Sequence, residues 1–321
     1  MFRKRVSRSL AAGVLGLAFA AGAHAAEPLT LEVYNPGDKA IFPVSSEIVA
    51  GKTEAVLIDA QFQRNDAEAL VARIQATGKK LTTVYISHGD PDYYFGLDVI
   101  RRAFPDARIV ATPQTVAHIQ ASKDGKLAYW GPILKDAAPQ ELVVPDILTG
   151  ESLTVDGQRL EIVGPEQDRR FVWIPSLRAA VGGIPVAANL HVWLADTPTP
   201  ESRRQWQKTL KAMAGLKPRV VVPGHFLPNA DGSAPTTLAA VKFTQTYLQT
   251  FEREAAQAAG RDLAGDLRGL DRDRAAAAER IGEDPSLARR REPHQRRRTV
   301  LAQRRLAARE PPAAPVERLA G

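Results

Sequence analysis

The sequence is 321 residues long and contains no cysteine, which excludes a disulfide framework and leaves the burial of apolar side chains to stabilise the fold. The formal net charge of +7 comes from the two ends, because the first eight residues hold four basic groups and residues 261–321 hold 15 Arg against 10 acidic groups. Since the segment between them is close to neutral, we expect no nucleic-acid partner for the core.

The first 25 residues have the pattern of an export signal. A basic start is followed by an apolar run from Leu10 to about Ala21 and by the small-residue triplet Ala23-His24-Ala25. This order predicts a secretory signal peptide over residues 1–25. The apolar run is shorter than the roughly 20 residues that a membrane span needs, and no later stretch reaches that length. We therefore expect an exported protein, periplasmic or secreted, without a membrane span.

Residues 26–260 form the predicted domain, and its first half alternates β-branched runs with helical periodicity. The predicted strands are Ser46–Ala50 and Ala55–Asp59, which form a hairpin, followed by Leu81–Ser87 and Arg108–Ala111. The predicted helices are Asn65–Ala76, Tyr94–Ala103 and a segment that begins at Gln114 and fades near Gly125.

The second half repeats this alternation. An Asp-Gly turn predicts a hairpin over Leu153–Val163, and the further predicted strands are Phe171–Pro175, Ala179–Val181 and Arg219–Val222. The predicted helices are Glu201–Ala214, which begins after Thr199-Pro200, and Pro235–Ala259. Two similar halves of strands and helices predict an α/β protein whose sheets are covered on the outside by helices.

The segment 261–321 differs in composition from the rest of the chain. It is rich in Arg, Ala and Pro and contains no Lys, so we expect it to be disordered or marginally helical. One interpretation is a basic arm for nucleic acid or an anionic surface, which would suit a nucleic-acid-processing enzyme. We favour the other interpretation, a poorly constrained or frameshift-like terminus, because so few apolar residues cannot build a core.

The string Ser87–Gly96 follows a predicted strand and carries the residues that indicate chemistry. Alternate residues of an extended loop point the same way, so His88, Asp90 and Asp92 are expected to converge. One imidazole and two carboxylates suit a divalent ion. Zinc is the first expectation, and the carboxylates shift the preference toward Mn²⁺ or Fe²⁺.

This string resembles the H-x-H-x-D-H motif of the metallo-β-lactamase superfamily, which implies a four-layer αββα sandwich. His88 matches the first His and Asp92 matches the Asp, whereas Asp90 and Tyr93 stand at the second and last His. A second match is Pro223-Gly224-His225, which resembles the last motif of the family. The resemblance covers residues 29–259.

Other positions depart from the family pattern. Pro165 stands at the middle His and Gly183 at the bridging Asp, and the phenol of Tyr93 is a poor metal ligand near neutral pH. The resemblance therefore implies a single ion, with the ligands His88, Asp90, Asp92 and His225. This assignment requires the loop after Ser87 and the Pro-Gly-His turn to meet at one cleft.

Two functions follow from the resemblance. The first is a metal-dependent hydrolase of a small molecule with an ester, lactone, thioester or amide-type bond, in which Asp92 orients or deprotonates water and Tyr93 or His191 stabilises the oxyanion. The second is a catalytically inactive relative that binds a small ligand in the same cleft, which the losses at Pro165, Gly183 and Tyr93 favour.

Each candidate also has a purely structural interpretation. His88 is then a strand-end histidine, Asp90 and Asp92 are turn and cap residues, and His225 braces a loop. An isolated histidine such as His191, between apolar residues, is most often a packed side chain with a hydrogen bond.

Overall fold

The structure is a computed structural model, and it describes residues 27–259. Its first half forms a six-stranded sheet in which the strands follow one another in chain order. The strands are β1 (Thr30–Tyr34), β2 (Ser46–Ala50), β3 (Glu54–Ile58), β4 (Lys80–Ile86), β5 (Arg108–Ala111) and β6 (Asp146–Ile147). β1, β2 and β3 pair antiparallel, and β3 to β6 pair parallel.

The helices of the first half connect the parallel strands, as parallel pairing requires. They are α1 (Arg64–Ala76), α2 (Pro91–Tyr94), α3 (Leu97–Ala103) and α4 (Pro113–Leu134). Leu70 of α1 and Ile119 of α4 are fully buried in one apolar cluster with Leu57 of β3. These helices therefore cover one face of the six-stranded sheet.

The second half contributes a five-stranded sheet and a two-stranded sheet. The strands are β7 (Ser152–Val155), β8 (Gln158–Val163), β9 (Phe171–Ile174), β10 (Ala179–Val181), β11 (Ala187–Ala188), β12 (Val220–Val221) and β13 (His225–Phe226). The larger sheet has the order β12-β10-β9-β8-β7, and β11 pairs parallel with β13. The helices are α5 (Pro200–Gly215) and α6 (Leu238–Ala259).

The main core lies between the two large sheets. Val56 and Ile58 of β3 belong to the same buried cluster as Ile162 of β8, whereas Leu57 between them belongs to the cluster under α1 and α4. This alternation is the period of two of a strand that is buried on both faces. The first cluster also includes Trp206 of α5, so the layers run helix, sheet, sheet, helix.

The structure confirms the predicted α/β architecture, including the two hairpins and the strands Arg108–Ala111 and Ala179–Val181. One helix prediction is wrong, because α4 passes through Gly125 and continues to Leu134. Trp130 is 3% exposed, so burial of this second half outweighs the roughly 1 kcal/mol that a helical glycine costs. The predicted helix Tyr94–Ala103 is divided at Gly96 into α2 and α3.

The structure does not describe the two ends of the chain, so it bears only in part on the predictions for the signal peptide, the C-terminal segment and a membrane span. The signal peptide over residues 1–25 and the segment 261–321 lie outside the described residues. Among residues 27–259, no helix combines the length and the apolar character that crossing a bilayer requires.

Candidate functional site

The site lies where β3 and β4 end. The segment after β4 carries His88, Asp90 and Asp92, and His225 is the first residue of β13, directly after the turn that follows β12. The Oδ2 atom of Asp92 is 2.6 Å from Nε2 of His225. The two loops that the sequence singles out therefore meet at one place, as the resemblance requires.

Tyr93 stands between the two histidines. Its ring centroid is 5.3 Å from that of His88 and 5.6 Å from that of His225. The side chain is fully buried, and its hydroxyl lies 3.3 Å from Nδ1 of His225. Burial, together with the nearby charge of Asp92, raises the pKa of Tyr93 well above its usual value, so the hydroxyl keeps its proton.

These contacts give His225 a protein partner at each ring nitrogen. Nδ1 lies within hydrogen-bond distance of the hydroxyl of Tyr93, and Nε2 lies within hydrogen-bond distance of the carboxylate of Asp92. Both ring nitrogens of His225 are then occupied by protein groups. Because each nitrogen already has a hydrogen-bond partner in the protein, His225 in this arrangement offers no unpartnered nitrogen to a metal ion.

Asp90 belongs to a separate cluster on the other side of Tyr93. Nζ of Lys126, from α4, lies 2.7 Å from Oδ1 of Asp90. Nδ1 of His88 accepts a hydrogen bond from the backbone N–H of Asp90 at 3.2 Å and lies 3.4 Å from its Oδ2 atom. Burial opposes ionisation of Asp90, but His88 and, after it, Lys126 hold the pKa of its carboxyl below the usual value.

His88 is a poor cationic partner for the carboxylate of Asp90. Its side chain is 10% exposed, and burial lowers its pKa to about 4. The imidazole is therefore neutral at neutral pH. Its ring also lies 6.0 Å from that of His118, an exposed residue of α4, measured between centroids.

Two further carboxylic acids lie buried behind the loop. Asp59 accepts hydrogen bonds from N and Oγ of Ser87, at 2.8 and 2.5 Å, and burial raises the pKa of Asp59 to about 7. Burial likewise raises the pKa of Glu47, which is 0% exposed. Ser45 lies within reach of Glu47, but its hydroxyl donates to O of Pro223, so neither oxygen of Glu47 has a hydrogen-bond partner among the described residues.

A pair of glycines closes the floor of the site. Gly183 has φ +79°, and a Cβ there would lie 2.4 Å from O of Arg170. A Cβ on Gly224 would lie 2.1 Å from O of Gly183 and 3.0 Å from the hydroxyl of Tyr93. Gly183, the position at which the resemblance implies the bridging aspartate, therefore has no room for any side chain, and Gly224 lets Tyr93 approach His225.

His191, the third predicted catalytic residue, lies on the loop after β11. Its Nδ1 atom is 3.3 Å from the hydroxyl of Tyr247 on α6. Within residues 27–259, the hydrogen bonds and ring contacts described for His191 join it to Tyr247 and not to the site. His191 is exposed, so of the structural interpretation only the hydrogen bond is seen, and the packed environment is not.

The four predicted ligands are therefore divided into two pairs, and the side chains present do not fit a bound metal ion. Among residues 27–259, no three His, Cys, Asp or Glu side chains are grouped so that they could hold one. The side chains of each pair have hydrogen-bond partners within the protein, and the ring of Tyr93 lies between the two pairs. The ligand roles of His88, Asp90, Asp92 and His225 stay a prediction that this arrangement does not favour.

Sequence reasoning missed three residues of the site: Lys126, Asp59 and Glu47. Lys126 is eight residues after His118, which places both on one face of a helix, but the sequence predicts a helix that fades near Gly125, before Lys126. Asp59 is the last residue of a predicted strand and His88 directly follows another. This similar position in the two strands could have identified Asp59 as a site residue. Nothing in the sequence distinguishes Glu47 from a surface residue of a hairpin.

A cavity of about 250 Å³ lies elsewhere, between α1 and α3, where Val71 and Val99 are among the lining residues. It contains none of the predicted site residues and is open to solvent. We assign it no chemistry.

Comparison with known proteins gives one family and one fold. A family profile described as metallo-beta-lactamase superfamily matches residues 41–225, more than half of the chain. VMB-1 is similar to this chain at 18% identity and a TM-score of 0.50, over 70% of this chain and 94% of that chain.

Two further solved structures are similar at 20% identity and a TM-score of 0.49. They are DIM-1 metallo-beta-lactamase exposed to ceftazidime, over 70% of this chain and 99% of that chain, and a metallo-beta-lactamase from Pontibacter korlensis, over 69% and 95%. A comparison with curated protein sequences gives no match.

Proposed function

The chain belongs to the metallo-β-lactamase superfamily, and we propose that it is an exported member that binds a small molecule in the superfamily's cleft without a metal ion. The fold is of the metallo-hydrolase type. The observation that carries the proposal is that Lys126 occupies the carboxylate of Asp90, while Asp92 and Tyr93 occupy both ring nitrogens of His225.

The cost of rearrangement supports this proposal. A metal ion would have to break the Lys126–Asp90 ion pair, whose side chains are 15% and 25% exposed, and also the Asp92–His225 hydrogen bond. Unpairing a largely buried charge is strongly destabilising. The lost ligands are not replaced either, because the side chain of Pro165 has no metal-binding atom and Gly183 has no room for a side chain.

The position of the cleft supports a small molecule as the ligand. It lies at the carboxyl ends of the parallel strands β3 and β4, where open α/β sheets commonly bind ligands. Asp90 and His225 remain partly exposed there, at 25% and 19% of their side chains. The carboxylate of Asp90 accepts hydrogen bonds, so it would bind a ligand group that donates one, such as the N–H of an amide.

Export is part of the proposal and rests on the sequence alone. The basic start, the apolar run Leu10 to Ala21 and the triplet Ala23-His24-Ala25 are typical of a secretory signal. We propose that the mature chain begins after Ala25 and resides in the periplasm or outside the cell.

A metal-dependent hydrolase is the second candidate, and one observation favours it. The loop of Asp92 and the turn of His225 do come together, at 2.6 Å, so the framework of a metal cleft is retained. Under this alternative one zinc, manganese or iron ion is required, and a movement of Tyr93 away from His225 is needed before His88 can share a ligand with it.

The two functions are separated by metal content and turnover measured on the same preparation. The full chain is purified without chelators, and zinc, manganese and iron are quantified by mass spectrometry. Hydrolysis of nitrocefin, an aryl ester and a lactone is then measured. The proposal expects less than about one tenth of an equivalent of metal and no turnover.

The same three compounds serve as binding probes in thermal denaturation. We expect at least one to raise the melting temperature in a saturable manner, because a ligand that binds only the folded state stabilises it. Asp92→Asn should weaken this shift, and His191→Ala, away from the cleft, is the matched control that should retain it. About one equivalent of metal, with turnover that is abolished by EDTA and restored by zinc, would instead establish the hydrolase.

A further inference from the structure

We infer that Lys126 takes the electrostatic place of a metal ion in this cleft, so that an ammonium group neutralises Asp90 and holds the loop of residues 88–94 in position. The inference rests on the proposed metal-free function and names the residue that makes it work. It assigns a positioning role to a side chain on α4, outside the motifs that identify the family.

The surroundings of the ammonium group have the chemistry of a cation site. Nζ of Lys126 lies 2.7 Å from Oδ1 of Asp90, 3.4 Å from O of Gly89 and 3.4 Å from Nε2 of His118. A carboxylate oxygen, a carbonyl oxygen and an imidazole nitrogen are all acceptors, and an ammonium group has three protons to donate. The same kinds of atoms coordinate divalent ions.

The Lys126 contact is the stronger of the two ion-pair contacts described for Asp90. The other joins Asp90 to His88 at 3.4 Å, whereas the ammonium lies at 2.7 Å and is 15% exposed. A charge-assisted hydrogen bond at that distance is roughly twice as strong as a neutral one, and limited exposure reduces its screening by water.

The packing of α4 on the loop is a second observation that supports the inference. A Cβ on Gly89 would lie 2.7 Å from Cγ of His118, so only glycine allows the helix this close to the loop. His118 and Lys126 are eight residues apart, which is two steps of four along one face of α4. The helix face and the loop therefore match in shape as well as in charge.

The inference is tested by a double-mutant cycle on the full chain. We expect Lys126→Met to lower the melting temperature by roughly 5–10 °C, because it leaves a largely buried carboxylate unpaired. Adding Asp90→Asn removes that carboxylate and should restore at least half of the loss. Lys126→Arg, which keeps the charge, is the matched control and should lose less than Lys126→Met.

Zinc dependence provides the readout that a purely structural lysine would not change. Lys126→Met frees Asp90 beside His88, so its melting temperature should rise with added zinc, whereas the wild type and Lys126→Met/Asp90→Asn should not respond. Additive effects in the cycle, or a Lys126→Met variant that does not respond to zinc, would overturn the inference.

The outcomes also distinguish this inference from the function on which it rests. A wild type that carries about one equivalent of zinc overturns both, whereas a metal-free wild type with an additive cycle overturns only the role of Lys126. If Lys126→Met does not fold, folding of Lys126→Met/Asp90→Asn supports the inference. If the double variant also fails to fold, the role of Lys126 is not charge neutralisation and the inference is overturned.

Discussion

Asp59 gives the structure a pH dependence that one substitution isolates. The carboxyl is 1% exposed, and burial raises its pKa from 3.8 to about 7. Below pH 4 the group is protonated in both the folded and the unfolded chain. Between about pH 4 and 7 the unfolded chain loses this proton while the folded chain keeps it, so the stabilisation from Asp59 is lost as the pH rises through that window.

The size of this effect follows from the shift. About three pKa units at 1.36 kcal/mol each correspond to about 4 kcal/mol between pH 4 and 7. Other groups titrate in the same range. Burial lowers the pKa of His88 from 6.5 to about 4, so the stabilisation that neutral His88 contributes is present above pH 6.5 and is lost as the pH falls toward 4. The two effects oppose each other, so the total stability of the wild type is not diagnostic.

The difference between the wild type and Asp59→Asn removes the contribution of His88. Urea denaturation at intervals from pH 4 to 8 gives the free energy of unfolding of both proteins. The wild type minus the variant should fall by about 4 kcal/mol from pH 4 to 7 and then level off. A difference that is constant over this range, or that rises with pH, would refute the assignment of a protonated Asp59 to the folded state.

Three further predictions concern the loop, the glycine floor and α4. Gly183→Ala should lower the melting temperature more than Gly157→Ala. Both positions have positive φ, but only at Gly183 would a Cβ contact the backbone, 2.4 Å from O of Arg170. Equal losses of melting temperature would argue against this close contact. Tyr93→Phe should lower the free energy of unfolding by roughly 1 kcal/mol in urea denaturation, since it removes the hydrogen bond to His225; an unchanged free energy of unfolding would contradict our account of the hydroxyl. Gly125→Ala should stabilise the protein by about 1 kcal/mol in urea denaturation, because this position is within α4 and its Cβ would meet no atom within 4 Å; destabilisation would indicate that α4 ends earlier.

The sequence was sufficient for most of the architecture because the strong signals are local. The turn at Asp156-Gly157 and the cap at Thr199 depend on a few adjacent residues, and both features appear where expected. The extent of α4 could not be predicted, since Gly125 and Pro132 interrupt its pattern and the compensating burial of Trp130 is a tertiary effect. The two-residue strands β11 and β13 are too short to leave a periodic pattern.

The site was predictable in position but not in its internal contacts. Spacing and context brought the loop of Asp92 and the turn of His225 together correctly. The prediction that His88, Asp90 and Asp92 converge assumes an extended loop. Residues 91–94 instead form the short helix α2, which turns Tyr93 into the core between His88 and His225. The ion pair of Asp90 depends on a lysine 36 residues away, which no local pattern reveals.

Anomalous diffraction at the zinc absorption edge, from crystals of the wild-type chain grown with excess zinc chloride, tests the central claim most directly. Our account predicts no anomalous peak among His88, Asp90, Asp92 and His225, with the ammonium of Lys126 still bonded to Asp90. A strong peak in contact with three or more of these side chains, with Lys126 displaced, would contradict it.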